Sequence, residues 1–226
     1  MQMRKNQSRL LSRNLNEDDI ITINDLGEKE SLVDYLLVLP TRERIFCLKK
    51  VIHIYGASGS GTTTLGKKIS DETGYFFMDT DDYYWLPVEP KYSQKRAIED
   101  RLILMKRDIE NNDNVVISGS LVGWGDELIP YFSLAIRLIT DSSVRIERLR
   151  KREKAEFGDS ILPGGERYEE FTAFIEWASQ YDTGDLNIRS KVYHDEWEKL
   201  LKCKKIVLNG ADDLNYNFQK VMTEIE

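Results

Sequence analysis

Cysteine is scarce in this sequence: Cys47 and Cys203 are all it has. They stand far apart and in no metal-binding spacing, which speaks against a metal cluster and reads as two reduced thiols in a reducing cytosol. Long apolar runs are missing too. The longest, Tyr35 to Leu39, is far too short to cross a bilayer, so no membrane partner is expected. Arg4, Lys5, Arg9 and Arg13 lie near the start, but polar residues follow them where a secretory signal would need an apolar stretch. Positive charge is in deficit: 32 Lys and Arg against 39 Asp and Glu leave a net charge of -7. That excludes a general nucleic-acid binder, which needs a basic face, and leaves open a small phosphorylated ligand held by a few local cations and backbone amides. There is no internal repeat and no low-complexity tract. The expectation is a cytoplasmic protein, with its oligomeric state open.

What is present suits one domain with an appendage: 226 residues, 41% hydrophobic and 31% charged. Residues 1–49 read as an N-terminal extension, partly flexible, with a short helix in "SLVDYLLVL" stopped by Pro40, and carry no visible chemistry. Residues 50–226 alternate strand and helix. "VIHIY", "YFFMD", "NVVIS", "LAIRLIT" and "KIVLN" read as five strands. Helices are expected at Thr62 to Thr73, ended by Gly74, and after an N-cap at Ser93, with Ile98, Leu102, Met105 and Ile109 inward. Others are expected at Ser142 to Glu156, Glu166 to Gln180 and Arg189 to Leu201, and a last one capped by Asp212 with Leu214, Phe218, Val221 and Ile225 inward. Such alternation predicts an α/β fold, a parallel sheet covered on both faces.

The strongest chemical signal is "HIYGASGSGTTTLGKK". A strand runs into a turn holding Gly56, Gly59 and Gly61, and a helix opens after it. Backbone amides of Gly56, Ala57, Ser58, Gly59, Ser60, Gly61, Thr62, Thr63 and Thr64 are placed to wrap a phosphate, helped by the helix N-terminus. Thr63 stands where a hydroxyl would ligate Mg²⁺. The usual pattern is G-x-x-x-x-G-K-[ST], and here the lysine slot holds Thr62. Lys67 lies roughly 140° around the helix and about 7.5 Å further along it, and Lys68 about 9 Å along, so neither replaces the missing charge. A cation must come from elsewhere. In "SSVRIERLRKRE", Arg145, Arg148 and Arg152 share one helix face. They suit bidentate phosphate contacts, or form a solvated charged face balanced by Glu147 and Glu153.

Two loops follow strands at the edge where open α/β sheets bind ligands. "MDTDDYYWLP" brings Asp79, Asp81 and Asp82 beside Tyr83, Tyr84 and Trp85. One carboxylate could hold Mg²⁺ through water and another orient or deprotonate a hydroxyl; the plain alternative is a polar loop capping a helix. "SGSLVGWGDELIP" offers Gly123, the stacking face of Trp124 and the Asp126 carboxylate, or else a tight turn with a buried tryptophan. Its strand ends in Ser118 and not in an acid, so a metal-side carboxylate must be Asp79 or a neighbour. Further on, Phe171, Phe174 and Trp177 have the spacing of a helix core.

With these placed, the chain from about Val51 to Glu226 resembles the P-loop kinases of small molecules, the adenylate kinase, shikimate kinase and nucleoside kinase group. It is especially similar to bacterial adenylate-kinase-like proteins with a lysine-free loop, which carry "DTDDYYWLP", "SGSLVGWGD" and "FIEWASQYDTG". The resemblance implies a three-layer sandwich around a five-stranded parallel sheet, with a helical lid at about residues 150–185. It implies ATP on Gly56 to Thr63 and Mg²⁺ on Thr63 and Asp79. Asp81 or Asp82 would face the acceptor and Arg148 and Arg152 the transferring phosphates; from the loops themselves, Tyr84, Trp85, Gly123 and Trp124 are expected to join Asp81 around a small-molecule phosphoryl acceptor. Thr62, and Ser118-Gly119 where nucleoside monophosphate kinases carry Asp-Gly, depart from that pattern. Two functions stand: an ATP-dependent kinase of a small metabolite, or a non-catalytic nucleotide-binding switch or partner-binding protein with a degenerate loop.

Overall fold

The computed structural model describes residues 49–225; the expected arm, the short helix and Cys47 lie outside the described residues. The chain divides after Leu48, and Lys49–Glu226 form one compact unit. Five strands, β1 (Val51–Gly56), β2 (Phe76–Asp79), β3 (Val115–Ser118), β4 (Leu134–Ile139) and β5 (Lys204–Asn209), make one sheet in the order β2-β3-β1-β4-β5. Every pairing is parallel, with Ile52 opposite Val116 on one side and Leu134 on the other. Among the described residues the helices are α1 (Thr62–Thr73), α2 (Thr80–Tyr84), α3 (Ile98–Asn111), α4 (Ser142–Phe157), α5 (Tyr168–Ser179), α6 (Lys191–Trp197) and α7 (Leu214–Ile225).

Strand alternation sorts the core into two layers. Val51 and Tyr55 of β1 pack with Leu102, Met105 and Ile109 of α3 and Trp197 of α6. Ile52 and Ile54 point the other way, onto Leu65 and Ile69 of α1 and Phe218, Val221 and Ile225 of α7. Each such side chain, removed fully from water, contributes about 1.5–3 kcal/mol. β1 is buried along its whole length, as a central parallel strand must be. The expected three-layer α/β arrangement is therefore present.

Three boundaries differ from expectation. α3 begins at Ile98 behind Ala97, and not behind Ser93, because Leu86 N–H bonds the Gln94 carbonyl and Trp85 bridges Lys95, holding that stretch extended. Ile98 is accordingly exposed. The α7 cap is Asp213, whose carboxylate accepts from the Asn215 and Tyr216 amides, while Asp212 accepts from the Asn209 side chain. α6 spans Lys191–Trp197 behind a Ser190 cap, so Arg189 lies in the preceding loop. α2 was not expected: five residues give too little periodicity to read.

Candidate active site

The phosphate loop is shaped by steric exclusion. Gly59 and Gly61 take left-handed φ of +80° and +101°, and a Cβ on Gly59 would lie 2.6 Å from the Arg145 carbonyl oxygen. From behind, Thr140 Oγ1 donates to the Ser60 carbonyl at 3.2 Å, and Gly210 packs on it so closely that a Cβ would meet it at 2.1 Å. α1 opens with Gly61 as a cap that has no side-chain hydrogen bond and with no acid in its first turn. Its N-terminal amides and partial positive charge are thus left for a ligand. The contrast with α2 and α6 is direct: Asp79 caps the first and Ser190 the second.

Asp79 does two jobs. One carboxylate oxygen accepts from the Asp81 amide at 3.1 Å, and the other accepts from Thr63 Oγ1 at 3.1 Å. The capping role and a place beside the phosphate loop thus coincide. Ser118 Oγ lies 3.5 Å from Thr63 Oγ1, so the exit of β3 closes the same corner. Gly119, at φ +112°, is required there, since a Cβ would sit 1.9 Å from Thr80 Oγ1.

Asp81 and Asp82 stand on the open side of α2. Asp81 is open to water yet ringed by protein, and burial, then the Asp79 charge, pushes its carboxyl above the usual range against the pull of Arg189 and Arg152. Asp82 is pushed up for the same two reasons, opposed by Lys67. Beyond them the rings of Tyr84 and Trp85 meet edge-on at 4.9 Å and those of Tyr84 and Trp124 at 6.1 Å. Gly123 takes φ +81° against the Tyr193 hydroxyl. Arg101 lies 3.8 Å over the Tyr84 ring and 5.3 Å from Trp124, a buried cation against two aromatic faces. Asp126 takes no part: Trp197 Nε1 donates to it at 2.7 Å.

The α4 arginines separate. Arg145 is almost fully buried; it donates to the carbonyls of Thr140 and Ala178 and pairs with Asp182, so it ties α4 to the end of α5. It is neither a phosphate ligand nor a solvated charge, which corrects the shared-face reading. Arg148 reaches the loop, donating to the Gly59 carbonyl at 3.5 Å and the Gly210 carbonyl at 3.0 Å. Arg152 is exposed and paired with Glu153. Lys68 pairs with Glu72, and Lys67 lies 5.9 Å over the Phe77 ring. Phe171, Phe174 and Trp177 pack against Leu149, Ile175 and Ala178.

Arg189, which the sequence did not single out, donates to Ser58 Oγ of the loop and stacks 4.7 Å over Trp177. Its place is set by a polar frame. Ser190 Oγ donates to the Asp185 carbonyl at 2.6 Å, and His194 bonds both Ser120 Oγ and the Tyr181 hydroxyl at 2.8 Å. Arg137 holds Asp195 and Glu198, and Tyr55 donates to Glu198 at 2.9 Å. Burial holds His194 down to about 3 and His53, which faces the Gly119 carbonyl, down to about 4. Only the Arg-Ser dipeptide before a helix hinted at Arg189, and that pattern is too common to read.

Comparison with known proteins gives the family. The model of the AAA domain matches residues 52–171. The uncharacterized protein YqaC of Bacillus subtilis (strain 168) is 42% identical over 170 residues, covering 75% of this chain and 93% of its own. A cytidylate kinase of Thermoplasma volcanium is 26% identical over 177 residues, 73% of this chain and 92% of its own. A shikimate kinase structure from Bacteroides thetaiotaomicron aligns over 78% of this chain and 98% of its own, at 20% identity and a TM-score of 0.49. By the extent of the family match and of the YqaC match, the chain belongs to the AAA domain family, as a P-loop protein.

Proposed function

We propose that the protein is an ATP-dependent phosphotransferase of a small metabolite, of the adenylate-kinase-like kind, with Mg²⁺ as the accompanying ion. The observation that carries the reading is the 3.1 Å contact between Thr63 and Asp79, which joins the phosphate loop to the acidic end of β2. The kinase names among the similar proteins support it. Phosphoryl transfer asks mainly for positioning and charge neutralisation, and the parts for both meet at one sheet edge.

The donor set fits Mg²⁺. Among the described residues no three acidic, histidine or cysteine side chains gather into a metal cage. This ion is ordinarily held by one or two protein oxygens, water and phosphate, and Thr63 Oγ1 and Asp79 supply the protein part. Bound there, the ion would supply positive charge that offsets the phosphate charge. The loop amides and the α1 N-terminus hold the phosphate chain, and Arg148 steadies the loop against Gly210. Asp81, whose carboxyl is pushed above the usual range by burial and the Asp79 charge, accepts the acceptor hydroxyl proton, with Asp82 as the second carboxylate. Tyr84, Trp85, Gly123 and Trp124 form the acceptor wall. The P-loop kinase-like domain is residues 50–226, with residues about 150–185 as the lid.

An ADP-release screen tests this. Nucleoside monophosphates, nucleosides, and sugar or shikimate-like acids are offered with ATP and Mg²⁺. Turnover with one acceptor class, lost on Asp81→Asn, is expected. No release above background with any acceptor, while ATP still raises Tm, would favour the non-catalytic switch that Thr62 in the lysine slot suggests.

A further inference from the structure

Resting on the nucleotide-binding reading, we infer that Arg189 is the residue that stands in for the lysine this loop lacks, approaching the phosphates from the loop before α6. The cations near the loop can be sorted by what already holds them. Lys68 is paired with Glu72, Arg152 with Glu153 and Arg145 with Asp182. Lys67 lies 5.9 Å over the Phe77 ring, and its charge acts on Asp82. Arg148 spends its contacts on the Gly59 and Gly210 carbonyls, toward the β5–α7 turn. Among the described residues, Arg189 is the cation that meets a side chain of the loop itself, Ser58 Oγ.

Its remaining contacts point the same way. The guanidinium is half-buried, stacked on Trp177, and has no carboxylate within ion-pair distance among the described residues. A partly desolvated cation with no direct ion pair is incompletely compensated, and a phosphate chain lying in the nest would relieve it. The Ser58 bond engages one of five N–H groups, leaving a planar fork for phosphate oxygens. The opposite charge of Asp81 on α2 acts on Arg189, while the Ser58 bond holds the guanidinium at the loop. The Ser190 cap and the His194 bonds to Ser120 and Tyr181 fix the backbone that presents it. Trp177, on α5, makes its position dependent on the segment read as the lid.

A charge swap tests the inference. Binding of inorganic tripolyphosphate and of ATP, each with Mg²⁺, is measured by calorimetry on the full chain and on Arg189→Gln, Thr62→Lys and the double variant. Arg189→Gln keeps a donor for Ser58 while removing the charge, and should weaken both ligands about 10- to 100-fold. Thr62→Lys should restore most of that loss in the Arg189→Gln background and add less than about threefold to the unaltered chain, the signature of two groups serving one place. Unchanged tripolyphosphate affinity in Arg189→Gln, or no restoration by Thr62→Lys, would overturn the stand-in. If Arg189→Gln does not fold, a tenfold or greater gain from Thr62→Lys alone would overturn it, and a gain below threefold would support it. Failure of the unaltered chain to bind either ligand would instead overturn the nucleotide-binding reading, and this proposal with it.

Discussion

The phosphate loop and the wall formed by α2 and the Gly119–Gly125 loop share one sheet edge but are made of different material. The first is backbone: three glycines, an uncapped helix start, and the Ser60 carbonyl braced by Thr140 and Gly210. The second is side chain: three carboxylates, the rings of Tyr84, Trp85 and Trp124, and Arg101 laid across two of them. Under the proposed function, the backbone site would recognise what all phosphate chains have in common, and the side-chain wall would carry the discrimination between acceptors.

Breaking the backbone region should have the largest effect. Gly59→Ala adds a Cβ 2.6 Å from the Arg145 carbonyl at a left-handed φ, and should cost about 3 kcal/mol of stability and abolish tripolyphosphate binding. Urea unfolding with calorimetry reads both. Asp79→Ala joins the two regions in one test. Losing the α2 cap should cost about 1 kcal/mol, while loss of the Thr63 partner should lower transfer about 100-fold, far more than stability alone explains.

The frame behind both regions should respond to acid. His53 and His194 are buried and neutral, held to about 4 and about 3 against an ordinary 6.5. Their depressed values make the fold's advantage complete above pH 6.5 and lose it as pH falls toward 4 and then 3. Each group should remove about 1.4 kcal/mol per pH unit in that window, or roughly 2 kcal/mol between pH 6.5 and 5. Urea midpoints at the two pH values give the slope, and His194→Asn should flatten it. The smallest effect belongs to the wall. Trp124→Ala should raise KM for the acceptor several-fold and leave ATP affinity within twofold, as expected for a ring in an acceptor wall and not in the nest.

Much of this was legible in the sequence because it is local. The five strands, α1 with its Gly74 stop, and the glycine turn are each written within about fifteen consecutive residues. Asp79 was legible as a candidate because the acid falls at a strand end. The rest depends on separations no short pattern records. Arg189 and Ser58 are 131 residues apart, and Arg145 and Asp182 are 37 apart. Arg145 and Arg148 sit one helical turn apart with the same chemistry in sequence. Only packing against α5 makes the first a tie and leaves the second at the loop. Ala97 in place of Ser93 shows a helix start chosen by tertiary context over residue preference, while Asp213 and Asp212 are the same residue type one position apart, which preference alone does not separate.

The central claim is that a lysine-free loop still holds a nucleotide. It is tested most directly by titrating ATP with Mg²⁺ into the full chain, with Gly59→Ala as the control. Saturable one-to-one binding that raises Tm, and that Gly59→Ala abolishes, is the predicted result. No heat and no Tm shift at millimolar ATP, or equal binding by Gly59→Ala, would contradict it.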